Sequence, residues 1–365
     1  MREFNLRVKP WLKDLSPYPP GKSLAEVRRE LGLKGPIYKL ASNENPLGPS
    51  PLALKALRER LSDIHRYPEA SGRDLSEALA KHFGVRPEMI VLGNGSNEVI
   101  ELLIKALVSP GEEIILSSPT FLMYEKFGAV AGAKPVKIPL QNYKHHLPAI
   151  LKAVNERTRI IFLDHPHNPT GSILERETLE EFLAKLPGNI LVVIDEAYGE
   201  FIRDPKAVFG VEYLKKGYPV AVLRTFSKAY GLAGLRIGYG LLPEVLARLL
   251  NAIRQPFNVN LLAQVAALAA LEDEEHLRKT QNLTWEGLDY FYRELPPLGL
   301  RPLLSQANFL LVDCRRPAGP LYEALLRQGI IVRPMEAYGF AHHIRISIGL
   351  PHENEALVAA LKGVL

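Results

Sequence analysis

From residue 51 to about residue 253 the chain alternates two hydrophobic periods. Apolar positions at helical spacing fill 51–61, 74–83 and 99–107, and short apolar runs at 89–92, 113–116, 136–138, 160–163, 191–194, 220–223 and 237–241 read as strands. That alternation predicts an α/β fold, a mainly parallel sheet sandwiched by helices, because parallel strands need crossovers that cover both faces. Local signals agree. Ser50 and Pro51 suit the cap and first position of a helix, and Gly84 suits a helix stop.

Past Pro256 the pattern changes. One long helical stretch from 261 to about 295 precedes shorter strands at 307–312, 330–332 and 344–348, with helices between and after, which predicts a smaller α+β unit. A chain of 365 residues exceeds the usual single core, so two domains are expected.

Composition narrows the class. With 47% hydrophobic and 23% charged residues the chain reads as an ordinary soluble globular protein. Its longest apolar stretch, 261–271, is too short and interrupted to cross a bilayer, and residues 1–7 lack the apolar core of a signal peptide, so a cytoplasmic protein is expected. Cys314 is the single cysteine, which excludes a disulfide framework or a cysteine metal site. The net charge of +5 comes from lysines and arginines interspersed with acids, a distribution that argues against nucleic-acid or membrane binding and suits small anionic ligands.

The chemistry lies just beyond the strands. Lys228, in the run Thr225 to Leu232, follows the apolar strand at 220–223, where desolvation favours a neutral, nucleophilic amine of the kind a Schiff-base lysine needs. Asp195 and Tyr198 follow the strand at 191–194, and Asn168 opens an Asn-Pro-Thr-Gly turn after the strand at 160–163. Open α/β sheets place ligands at such strand ends. The segment Gly93 to Asn97 lies between a strand and a helix start, where free backbone donors attract anions. A dinucleotide fingerprint would require glycine at the position of Glu98, so that reading fails on spacing.

These segments resemble the class II pyridoxal-phosphate aminotransferases of fold type I, whose lysine signature the run from Thr225 to Arg236 matches along its length. Ser16 to Gly21, Leu40 to Pro51 and His65 to Pro68 look like the histidinol-phosphate aminotransferase branch in particular. The resemblance runs from about Leu12 to the C-terminal residue. It implies residues 46–256 as a large cofactor-binding domain, 257–365 as a small domain, and an N-terminal arm, 1–45, that contributes to the small one.

The resemblance also implies roles. Gly95, Ser96, Asn97, Thr225, Ser227 and Arg236 would hold the phosphate of pyridoxal 5'-phosphate, Arg236 with a charged fork suited to a dianion. Asp195 would pair with the ring nitrogen, Tyr198 and Asn168 with the phenolic oxygen, and Phe121 would stack on the ring. Lys228 would carry the cofactor and then act as general base, so that Lys228, Asp195 and Tyr198 form the catalytic set. Arg333, Arg345, Tyr18 and Asn43 would receive the substrates, histidinol phosphate and glutamate or 2-oxoglutarate. Tyr67 would reach the cofactor phosphate of a neighbouring subunit, which makes a homodimer with shared sites the expected assembly.

The clustered histidines, 145–146, 165, 167 and 342–343, lack the spaced partners of a zinc site, so no metal is expected. Other outcomes of the same resemblance are an aminotransferase for aromatic amino acids and a phosphothreonine decarboxylase. A ligand-sensing regulator would need a helix-turn-helix segment, which is missing before Pro51.

Overall fold

The computed structural model describes residues 7–13, 15–17 and 24–365, so Tyr18 and most of the 16–21 segment lie outside the described residues. At its centre is a seven-stranded sheet. In spatial order its strands are Ile90–Gly93, Gly238–Leu241, Val220–Thr225, Leu191–Asp195, Thr158–Asp164, Glu113–Ser118 and Lys134–Pro139. Gly238–Leu241 alone runs opposite to the other strands of this sheet. Leu191–Asp195 and Val220–Thr225 are buried along their whole length because helices cover both faces of the sheet. Their apolar side chains divide between two cores, one on each face; Val192 and Ile194 point into one, Val193 into the other.

The helix Pro51–Arg60 begins where the hydrophobic pattern places it. Ser50 Oγ accepts from the Ala53 amide at 3.0 Å and Pro51 occupies the first turn. Gly84, at φ 61°, ends Arg73–Phe83 in the left-handed conformation that glycine adopts without Cβ strain. Helix Ser96–Leu107 starts three residues earlier than the apolar period alone predicts, directly on the Gly93–Asn97 turn. The expected single helix from 261 to 295 is two, Leu261–Glu272 and Glu274–Glu294. Asp273 separates them, and its carboxylate caps the second by accepting from the His276 amide at 3.1 Å. The polar run 272–276 between Leu271 and Leu277 marks the break in the sequence itself.

Beyond residue 300 a four-stranded antiparallel sheet orders Arg333–Pro334, His343–Ser347, Phe309–Asp313 and Arg301–Pro302. Its core includes Leu310, Ile344 and Ile346 together with Phe291, Leu325 and Leu357 from three helices. Cys314 is fully buried in this core, as a packing residue would be. The N-terminal segment joins it, because Tyr38–Lys39 pairs in parallel with Ile330–Ile331 and Leu40 packs among the same side chains. Residues 40–45 therefore run over the junction between the two sheets. Asn43 N donates to Ser347 Oγ, and Asn45 Nδ2 donates to the Ala229 carbonyl.

Candidate active site

Three neighbouring strands of the large sheet end in polar residues, and one cavity forms where they end. Asp164 and Asp195 are register partners on adjacent parallel strands, and Asp195 pairs with Leu223 on the next, two residues before Thr225. Asn168, Tyr198 and Lys228 follow on the turns after those strands, and all three line the cavity.

Lys228 Nζ lies 3.3 Å from the Ser42 carbonyl oxygen and 5.6 Å from the centre of the Tyr198 ring. Desolvation, aided by the Arg345 cation, lowers its pKa to about 8, so a substantial neutral fraction exists near neutrality. Asp195 is buried: Oδ2 accepts from the Tyr124 hydroxyl at 2.7 Å and Oδ1 from the Ala197 amide at 3.1 Å. Burial raises its pKa to about 7, and no cationic side chain among the described residues pairs with it. Such a carboxylate is set to receive a cationic N–H donor. Tyr198 is held by Asn43 Nδ2 at 3.0 Å, with its pKa pushed up to about 12 by burial.

Gly95, Ser96, Asn97, Thr225, Ser227 and Arg236 meet at one side of the cavity. Gly95 has φ 75°, and a Cβ there would lie 2.6 Å from Arg236 Nη2, so the guanidinium rests directly on the glycine backbone. A Cβ on Gly238 would meet the Ser96 amide nitrogen and the Gly95 carbonyl carbon. Two glycines thus let a helix N-terminus, a strand and an arginine converge. Free amides, three hydroxyls and a forked cation together suit a phosphate dianion.

Phe121 lines the same cavity and meets the Tyr124 ring edge-on at 5.5 Å. Arg345 is buried beside it all: Nη1 donates to Asn168 Oδ1, Nη2 to the Ala41 carbonyl at 2.9 Å, and the guanidinium sits 5.1 Å from the Phe309 ring centre. Arg333 is the cross-strand partner of Arg345, with its guanidinium over the Tyr338 ring at 5.9 Å. Tyr67 lies outside the cavity, 82% exposed and stacked on Phe257 at 4.7 Å. Asn43 is buried behind Tyr198, where Oδ1 accepts from Ser347 Oγ at 2.8 Å.

Besides Ala197 and Ala233, sequence reasoning passed over four polar lining residues: Ser42, Glu44, Tyr124 and Asp164. Tyr124 has a signal in hindsight, since it lies one helical turn after Phe121 on helix Leu122–Ala131. Asp164 ends an apolar strand just as Asp195 does.

One expectation about the histidines is corrected. His145 and His167 do have a spaced partner, because their ring nitrogens and the Asp164 carboxylate lie within 4.8 Å of one another. Both Nε2 atoms, however, contact backbone carbonyls, His145 that of Asp164 at 2.9 Å and His167 that of Pro119 at 3.1 Å, and each therefore carries a proton. The group is a hydrogen-bonded cluster. His167, unexplained by the sequence, also contacts Thr170 Oγ1 at 2.8 Å and so braces the turn that presents Asn168.

A buried unpaired carboxylate, a depressed lysine and an anion cradle facing one another across one cavity define a carbonyl-activating enzyme of the aminotransferase type. The family model for aminotransferase class I and II matches residues 36–361, and the chain belongs to that family. It is 48% identical to histidinol-phosphate aminotransferase of Desulfotalea psychrophila, over 97% of this chain and 94% of the relative. It is 45% identical to histidinol-phosphate aminotransferase 2 of Pseudomonas fluorescens, over 100% and 98%. Among solved structures, histidinol-phosphate aminotransferase of Sinorhizobium meliloti in complex with pyridoxal-5'-phosphate superposes with a TM-score of 0.91 at 31% identity, covering 99% of this chain and 98% of that one.

Proposed function

We propose that this chain is a histidinol-phosphate aminotransferase that uses pyridoxal 5'-phosphate to exchange an amino group between L-histidinol phosphate and 2-oxoglutarate, giving imidazole acetol phosphate and L-glutamate. The observation that carries the reading is the convergence of Lys228, Asp195 and Arg236 in one cavity. The near-complete overlap with relatives of that name supports the choice of substrate.

The residues fit the cofactor group by group. Asp195, buried without a cation, suits the protonated ring nitrogen; Arg236 with the Gly95–Asn97 turn, Thr225 and Ser227 suits the phosphate; Tyr198 and Asn168 suit the phenolic oxygen; Phe121 supplies a ring face. When bound, the cofactor supplies an aldehyde and an electron-withdrawing ring able to stabilise negative charge at the substrate carbon.

The chain's own groups do the rest. Lys228, partly neutral near pH 8, is the amine that holds the aldehyde and the base that takes the proton from the substrate carbon. Tyr124 and the Ala197 amide fix the Asp195 carboxylate, whose charge would pair with the ring nitrogen. Arg345, a rigid fork already positioned by Asn168 and the Ala41 carbonyl, receives the anionic end of either substrate, phosphate in one half-reaction and carboxylate in the other. Arg333, its strand partner, adds positive charge on the same side. Residues 46–256 form the cofactor domain on this reading, with 257–365 and the arm 1–45 forming the second. The exposed Tyr67–Phe257 pair marks the face where a second subunit would cover the site and complete a homodimer.

The test is the absorbance spectrum of the cofactor-loaded protein before and after stoichiometric histidinol phosphate, with phosphothreonine and phenylalanine in parallel. Selective conversion of bound cofactor to its amine form by histidinol phosphate, reversed by 2-oxoglutarate, is the expected result. Selective conversion by phenylalanine would reassign the enzyme to aromatic substrates, and carbon dioxide release from phosphothreonine would make it a decarboxylase.

A further inference from the structure

A second carboxylate sits beside the one that the site requires. Asp164 and Asp195 are register partners on adjacent strands, both are at least 96% buried, and both line the cavity. Two acids so placed repel one another unless something between them is positively charged.

Everything else that approaches the Asp164 carboxylate is a donor. Thr120 Oγ1 donates to Oδ1 at 2.7 Å, the Asn168 amide donates to Oδ2 at 2.6 Å, and Nε2 of His145 and of His167 lie 3.6 and 3.8 Å from Oδ1. Neither imidazole hydrogen-bonds the carboxylate itself. Each Nε2–H points to a backbone carbonyl, and each Nδ1 faces a hydroxyl, Ser117 Oγ for His145 and Thr170 Oγ1 for His167. Burial also depresses His167 to about 4. The hydrogen bonds to the carboxylate come from a hydroxyl and a backbone amide, and no lysine or arginine among the described residues is paired with it.

We propose that Asp164 is a second electrostatic anchor for the cationic nitrogen of the cofactor ring, acting beside Asp195 and held in place by the Thr120 hydroxyl and the Asn168 amide. The inference rests on the cofactor reading above and adds to it. One carboxylate would bond the ring nitrogen; the other, its register partner lining the same cavity, would deepen the negative potential there. The same residue orients Asn168 through its amide, so its loss could also act by simple loosening, and the experiment must separate the two effects.

Competition between two aldehydes does so. Pyridoxal phosphate and its 1-deaza analogue, in which CH replaces the ring nitrogen, share the aldehyde and the phosphate, so their affinity ratio for cofactor-free protein isolates the nitrogen. At pH 8 the wild-type protein should prefer pyridoxal phosphate, and Asp164→Asn should lower that preference by roughly three- to tenfold while changing affinity for the deaza analogue less than about twofold. Should Asp164→Asn fail to fold, Asp164→Ser yields the same ratio. An unchanged ratio, with both ligands weakened alike, would reduce Asp164 to a packing residue and overturn the inference while leaving the cofactor assignment intact. A wild-type protein that binds neither aldehyde would overturn both.

Discussion

Arg345 Nη1 donates a 2.6 Å hydrogen bond to Asn168 Oδ1 across 177 positions of sequence. The bond ties a strand of the small sheet to the turn that leaves the large one, and it fixes the plane of the guanidinium before any substrate arrives. A preset fork loses little side-chain freedom on binding an anion.

Arg345→Ala should therefore raise KM for both histidinol phosphate and glutamate, by about tenfold or more, because one cation serves both half-reactions. Arg345→Lys should recover only part of the loss, since it restores charge but not the fork. Steady-state kinetics with each substrate varied in turn checks this, and an unchanged KM for either removes Arg345 from the role.

Lys228→Ala should still bind pyridoxal phosphate through the phosphate cradle and Asp195, yet lose transamination by at least roughly 10²- to 10⁴-fold, the range for loss of a positioned general base. Single-turnover absorbance measurements report both properties. Appreciable turnover would place the reactive amine elsewhere.

Asp195 makes a prediction about stability and pH. Its pKa is raised from the ordinary 3.8 to about 7 in the folded, cofactor-free protein by burial. Below about pH 4 the group is neutral in both states. Between 4 and 7 the folded protein keeps a proton that the unfolded chain has released, so stability falls as pH rises, and the full cost is present above 7. Asp195→Asn should stabilise the cofactor-free protein at pH 8, by up to roughly 4 kcal/mol, and do little at pH 4. It should weaken cofactor binding in the same sample. Urea unfolding at the two pH values, with and without pyridoxal phosphate, measures each effect, and an Asp195→Asn protein less stable than wild type at pH 8 would contradict the account.

Tyr124→Phe keeps the ring stacked on Phe162 at 4.6 Å but removes the hydroxyl that holds Asp195. Loss of about 1 kcal/mol of cofactor affinity is expected, near fivefold in the dissociation constant, with KM for substrate unchanged. Fluorescence titration of the cofactor-free variant provides the value.

Much of this site could be read from sequence because Lys228, Asp195, Tyr198 and Asn168 each come shortly after the last apolar position of a strand buried on both faces. Tyr124 escaped notice because an aromatic on a helix looks like core, and all but its hydroxyl is. The resemblance assigns Tyr67 to a neighbouring subunit, and within one chain its ring stacks on Phe257.

The amino-acid sequence alone determined the order of strands and helices, the helix cap at Ser50, and the polar groups at the strand ends, since each depends on side chains within a few residues of one another. Tertiary structure decided what meets across the gaps. Asp164 faces Asp195 because two strands share a register, His145 reaches Asp164 because a loop returns over the sheet, and Arg345 meets Asn168 because the small sheet packs against the large one. Those contacts arise from long-range packing, which local periodicity does not encode.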